Sequence, residues 1–340
     1  MRLSGTTSTD GAGRRRLVRG ALAAAGLAFV CGCDPRGPQA KTRRIGFLGV
    51  GSREGRAFLI EGLRQGLAEH GYIEGNNLSI EYRFSDDEDE RLPQLAQELV
   101  RLQVELIVAS GTPASFAAKN ATSTIPVVMG GIAANPVETG LVASLARPGG
   151  NVTGMSMMTS QLGGKRLELF KEIIPALARV AVLWNPPNPA YGPVLRELDA
   201  AAAPLRLKIQ RVEVRKPSDL DRAMAAARRR ADALIVPADP LTTNRQQLIA
   251  DLALKHRVAA MMEYKEFVKA GGLVSLGVDL VDLYRRSAGH IDKILKGAPP
   301  GELPMEQPTK LDVSINLKTA RTLGLAIPES VTLRSTQVVE

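Results

Sequence analysis

The sequence predicts an α/β fold built from two doubly wound, parallel-sheet lobes. Three observations carry that expectation. Short apolar runs alternate with helical patterns, an order that puts helices on both faces of a parallel sheet. The same order begins again about halfway along the 340-residue chain. Glycine-bounded apolar segments then stand at 150–155 and 271–277, where a chain of two lobes has to pass from one to the other.

The first unit opens with a compact apolar strand at 44–50. A helix follows, with Leu59, Leu63 and Leu67 at i, i+4 and i+8 and Gly71 as its stop. Next come a strand at 78–83, a helix at 92–102, a strand at 105–109, a helix from Pro113 and a strand at 125–129. A further helix is expected from Pro136, with Asn135 as N-cap. In the second unit, 179–184 mirrors the first strand, 205–214 the second, 231–236 the third and 258–262 the fourth. The offsets are 135 residues from Ile45 to Val180, 128 from Ile107 to Ile235 and 133 from Ile125 to Val258. Three offsets agreeing within seven residues favour a tandem repeat over coincidence among generic α/β segments. The segments 150–155 and 271–277 are candidate crossings between lobes, and 308–315 is a third. The resulting division gives 43–153 plus 277–308 to lobe I and 154–276 plus 309–340 to lobe II.

The first 33 residues do not read as fold. Arg14, Arg15, Arg16 and Arg19 form a basic head, and 21–30 is an uncharged apolar run about half the ~20 residues that span a bilayer. This is the pattern of a secretory signal. Its exit, Val30-Cys31-Gly32-Cys33, resembles a bacterial lipobox with Cys33 as the lipid acceptor. The alternative is an ordinary cleaved signal with an incidental cysteine. The run from Arg14 to Arg19 also resembles a twin-arginine signal, so export by either the Sec or the twin-arginine route is open. Residues 34–42 read as a linker.

Composition narrows the function classes. Cys31 and Cys33 are the two cysteines, so the exported part has no disulfide, cysteine nucleophile or cysteine metal site. The chain carries a formal +9; the signal holds five arginines and one aspartate, which leaves +5 on the remainder. With 4% aromatics, stacking platforms for nucleic acid are not expected. The Gly49-Val50-Gly51 run fails as a dinucleotide fingerprint because position 54 is Glu54. The acids at 86–90 match no EF-hand and read as a solvated loop. His70, His256 and His290 are too far apart in sequence to suggest a metal or general-base site, and no G-x-S-x-G elbow occurs. No catalytic residue, metal or cofactor is expected.

Longer motifs add a resemblance. The run Leu141-Val142-Ala143-Ser144-Leu145-Ala146-Arg147-Pro148-Gly149-Gly150-Asn151-Val152-Thr153-Gly154 resembles the ABC transporter substrate-binding family that includes tryptophan-binding lipoproteins. So do Pro304-Met305-Glu306-Gln307-Pro308-Thr309-Lys310, Gly71-Tyr72-Ile73-Glu74-Gly75-Asn76-Asn77 and Ser110-Gly111-Thr112-Pro113-Ala114. Asn135-Pro136-Val137 departs from the family's usual Asp-Pro-Val. The resemblance implies a type I periplasmic-binding-protein fold with three crossovers. It implies a monomeric, periplasmic, lipid-anchored receptor, not an enzyme, that passes an amino acid or related small carboxylate to ABC permease and ATPase subunits. A sensor docking on a signalling receptor would share the same fold and is the alternative.

Ligands of such folds bind beyond the carboxyl ends of the strands, where helix N-termini offer free N–H groups. In lobe I, Ser110, Gly111 and Thr112 stand between a strand and the helix from Pro113, to meet a ligand carboxylate or only to cap that helix. In lobe II, Asp239 follows the matching strand, to meet an ammonium or to cap the next helix. Gly131 follows the fourth strand of one unit, and Glu263 and Tyr264 that of the other. Ser52 and Asn185 follow the two first strands. Asp279 follows the second crossing, where the resemblance implies a polar residue near the ligand; it is also placed to cap the helix carrying Tyr284.

Overall fold

A computed structural model describes residues 42–132, 135–157, 162–308 and 311–340. The signal, Cys33 and the linker lie outside the described residues, apart from Thr42.

The first sheet is wholly parallel. Its strands are β1 (Arg43–Gly49), β2 (Leu78–Phe84), β3 (Ile107–Ser110), β4 (Val127–Ile132) and β5 (Val152–Ser156), in the order β2-β1-β3-β4-β5. β1 reads as a continuous apolar run because helices cover both faces. Ile45 and Phe47 pack with Leu59 and Leu63 on one side, while Leu48 packs with Leu95 and Leu99 on the other. The helices of this part are α1 (Ala57–Glu69), α2 (Leu92–Arg101) and α3 (Thr112–Ala121).

The second sheet repeats the arrangement. β6 (Arg179–Trp184) pairs in parallel with β7 (Lys208–Glu213) and β8 (Ala233–Ile235), as β1 does with β2 and β3, and β9 (Ala259–Met262) follows β8 as β4 follows β3. Its helices are α4 (Gly163–Ile173), α5 (Tyr191–Ala202), α6 (Leu220–Arg230), the short α7 (Pro240–Thr243), α8 (Gln246–Lys255) and α9 (Lys265–Lys269). β10 (Val274–Gly277), β11 (Asp312–Asn316) and β12 (Gln337–Val339) extend it, giving the order β12-β11-β10-β9-β8-β6-β7.

The chain passes between the sheets three times. It leaves the first after β5 and leaves the second after β10. The helix α10 (Leu280–Leu295) then packs against α1. A Cβ on Gly66 would stand 2.0 Å from the Arg285 carbonyl oxygen, and one on Gly62 would stand 2.7 Å from that of Val281, so the two backbones meet where side chains are absent. After α10, Glu306 pairs with β5, its N–H donating to the Gly154 carbonyl at 3.0 Å. The chain then returns to the second sheet through β11, followed by α11 (Leu317–Leu323) and α12 (Glu329–Leu333).

Two local expectations change. Residues 135–142 form a single turn in place of a helix: Asn135 Oδ1 accepts from the Val137 and Glu138 N–H groups as expected of a cap, but Gly140, at φ +76°, ends the turn at once. β11 runs antiparallel to β10, so the second sheet is parallel except at that pair. Among the described residues no helix is long and apolar enough to cross a membrane.

Candidate functional site

Corresponding strand ends of the two sheets face one another across a narrow cavity. From the first half, β3 ends at Ser110, and Gly111, at φ +106°, turns the chain into α3. A Cβ at Gly111 would stand 3.1 Å from Pro240 Cγ, so the facing loops nearly touch. Gly111, Thr112, Gly131, Arg56 and Leu59 line this side. Asn188, Ala238, Asp239, Pro240, Thr243 and Tyr264 line the opposite side, and Met157, Leu280 and Tyr284 come from segments beside the crossings. The space between the lining atoms, open mouth included, is about 360 Å³.

Asp239 is the best-connected acid of the cavity. Its Oδ1 accepts from the Leu241 N–H at 2.7 Å, capping α7. Its Oδ2 accepts from Asn188 Nδ2 at 2.7 Å and Asn185 Nδ2 at 3.3 Å. Burial pushes its carboxyl above the usual carboxylate range, and the Asn188 bond pulls the other way. Burial also raises the Tyr264 and Tyr284 phenols, which keeps both in the neutral, donating form. Tyr264 Oη has a weak partner in Met157 Sδ at 3.8 Å. Tyr284 Oη lies 2.5 Å from Ser110 Oγ.

The structure therefore gathers Gly111, Thr112, Gly131, Asp239 and Tyr264 on one cavity. Five other candidates stand elsewhere. Ser110 is buried one step back, engaged with Tyr284. Ser52 Oγ accepts from the Gly55 N–H at 3.2 Å in its own turn. Asn185 reaches the site through Asp239 and borders a neighbouring recess with Asp87, Asp89 and Glu90. Glu263 points under the loop, where Oε1 accepts from the Ala238 N–H at 3.0 Å and lies 3.1 Å from Arg166 Nη1. Asp279 caps α10 by accepting from the Asp282 N–H at 3.1 Å and pairs with Lys265 at 2.5 Å.

Sequence reasoning missed Arg56 and Asn188. Arg56 shares its loop with Arg53, and the sequence has no signal to separate them. In the structure Arg53 stacks on the Tyr82 ring, 4.2 Å from its centroid, while Arg56 turns inward and is 4% exposed. Asn188 follows the strand β6 by four residues and is legible only as a polar loop residue. Among the described residues no group of three or more His, Cys, Asp or Glu is arranged to hold a metal ion.

Contacts outside the cavity also join the two halves. Asn244 Nδ2 donates to the Val50 carbonyl at 3.3 Å, and ion pairs link Arg245 to Asp87 and Arg196 to Glu138.

Comparison with known proteins agrees with this architecture. The chain is 27% identical over 265 residues to a tyrosine-binding protein of Clostridioides difficile, covering 78% of this chain and 76% of that one. A solved ABC domain in complex with L-Trp from Streptococcus pneumoniae superposes with a TM-score of 0.82 at 27% identity, covering 88% of this chain and all of the other. A conserved domain protein from Vibrio cholerae gives a TM-score of 0.83 at 28% identity with the same coverage. The family model described as ABC transporter substrate binding protein matches residues 45–339, nearly the whole described chain, and this chain belongs to that family.

Proposed function

We propose that the protein is an extracytoplasmic lipoprotein that captures an amino acid or related small carboxylate between its lobes and delivers it to the permease and ATPase of an ABC importer. The observation that carries this reading is the cavity itself, to which both halves contribute buried polar side chains beside an apolar wall of Leu59, Met157, Leu280 and Tyr284. Buried polar groups cost free energy unless something pairs with them, so such a lining favours a polar solute. Two relatives support the amino-acid class through what their names say they hold, tyrosine and L-Trp. The Val30-Cys31-Gly32-Cys33 exit supports the anchor.

In this reading lobe I comprises 43–153 with 277–308, and lobe II comprises 154–276 with 309–340. The ligand enters when the lobes part, because the facing loops nearly touch at Gly111 and Pro240. Asp239 takes the ligand's ammonium, Tyr264 donates to it, and Thr112 offers its hydroxyl at the head of α3. A thermal-shift screen of the protein without its signal, against amino acids, small acids and sugars, tests the class. A ligand at about 100 times its Kd stabilises by roughly 2.7 kcal/mol. A shift with sugars and none with amino acids or small acids would overturn the assignment.

A further inference from the structure

Arg56 closes the short 3-10 turn Glu54–Arg56 ahead of α1 and is 4% exposed. Its Nε donates to the Val50 carbonyl at 3.1 Å. Its Nη2 is buried and has no hydrogen-bond partner. Among the described residues no carboxylate forms an ion pair with this guanidinium. Asp89, an acid near enough to feel the Arg56 charge, accepts instead from Ser85 Oγ at 2.9 Å. A permanently charged group held out of water without an anion is costly, and the cost falls when an anion arrives.

The unpartnered Nη2 faces a second positive feature. It lies 4.0 Å from the point where a Cβ on Gly111 would stand. Gly111 is the N-cap of α3, a helix of ten residues whose N-terminus has no side-chain cap. The positive end of the helix dipole and its free N–H groups therefore open on the same part of the cavity as the guanidinium. Both Arg56 and Gly111 line the cavity, and Asp239 lines it from the opposite sheet.

We propose that Arg56 Nη2 and the N-terminus of α3 form the anion subsite of the cavity and take the ligand's carboxylate. This rests on the reading of the cavity as an amino-acid site. It adds a specificity-determining residue and a requirement on the ligand: a free carboxylate, at one end of a molecule whose amine meets Asp239. The guanidinium fork is suited to a carboxylate in a way that an ammonium is not.

The experiment is calorimetric titration of the protein without its signal with the proteinogenic L-amino acids, then with the amide and the decarboxylated amine of the tightest binder. Wild type is expected to bind the amide and the amine at least about tenfold more weakly than the acid, the loss of one charge-assisted hydrogen bond. Arg56→Gln is expected to weaken the acid by a similar factor while changing the amide little, so that the acid's advantage disappears. The amide arm uses wild-type protein, so it can overturn the subsite even if Arg56→Gln folds poorly. An amide that binds wild type as tightly as the acid, or an Arg56→Gln variant that keeps the acid's advantage, overturns the anion subsite and leaves the amino-acid reading standing. Wild type that binds none of the amino acids overturns both.

Discussion

Arg166 Nη1 lies 3.1 Å from Glu263 Oε1, and both side chains are sealed from solvent beneath the cavity wall. Arg166 Nε also donates to the Leu276 carbonyl at 3.1 Å, and Glu263 Oε1 accepts from the Ala238 N–H. The pair thus ties α4 to β10 and to the loop that presents Asp239. Removing one partner of a buried pair takes from the other the charge it faces, at a cost of about 3–5 kcal/mol. Glu263→Gln and Arg166→Met are each expected to lose that much in urea unfolding. The double variant is expected to recover part of it, because the two opposite charges are removed together. A Glu263→Gln protein of unchanged stability and weakened ligand binding would instead make Glu263 a ligand contact.

The hydroxyls of Ser110 and Tyr284 pair at 2.5 Å where both residues are buried. Tyr284→Phe leaves the Ser110 oxygen without its partner and is expected to cost about 1–3 kcal/mol. Ser110→Ala combined with Tyr284→Phe removes both polar groups and is expected to cost less than the sum of the single changes. Denaturant unfolding at unchanged m-value reads the difference.

Much of this arrangement was legible because the repeat places strand ends, and strand ends place loops. β6 begins and ends at the residues the apolar run indicates, and Gly111, Thr112 and Asp239 reach the cavity just beyond the strand ends, as expected, while Gly131 reaches it from within β4, which runs on to Ile132. Side-chain direction was not legible. Glu263 and Tyr264 are neighbours after β9, yet one turns under the loop and the other into the cavity. Arg56 was hidden for a related reason. Two arginines three residues apart differ only in which one the start of α1 turns inward, and tertiary packing decides that.

Burial raises the Glu197 carboxyl to about 7 from 4.5, against the pull of the Gly163 N–H bond and the Arg166 charge, with Glu263 adding to the rise. A folded state with the higher pKa binds more protons than the unfolded chain between those values. Its contribution to stability is therefore present below the unfolded pKa and is lost as pH rises through about 7. Glu197→Gln keeps the acceptor for Gly163 and does not titrate. It is expected to melt higher than wild type at about pH 8 and no higher at about pH 5. Because the group is only partly buried and is screened by solvent, the difference should be modest, about 2–4 °C. Equal melting temperatures at the higher pH would remove Glu197 as a source of pH dependence.

The proposed anchor rests on one side chain. Cys33→Ala is expected to abolish acyl incorporation and move the protein from the membrane fraction to the soluble one. Continued incorporation of labelled acyl chains would rule out the lipobox assignment.

If the lobes close on ligand as proposed, the ion pairs between the two halves make that closure sensitive to charge. Arg245–Asp87 and Arg196–Glu138 bridge the two halves at partly exposed positions, with Asp87 and Glu138 side chains 39% and 42% exposed. Exposed pairs contribute about 0.2–1 kcal/mol each, and salt weakens them. They bias an open–closed equilibrium rather than lock it. Apparent affinity scales with the fraction of molecules able to close. Asp87→Asn is therefore expected to weaken ligand binding by no more than about fivefold, and the double variant with Glu138→Gln by somewhat more. In solution scattering the ligand-free double variant is expected to show a larger radius of gyration than wild type, and saturating ligand should bring both to the same smaller value. Salt should expand ligand-free wild type towards the variant while leaving the variant unchanged. A radius that responds to neither ligand, salt nor substitution would show that the lobes do not open and close about these contacts.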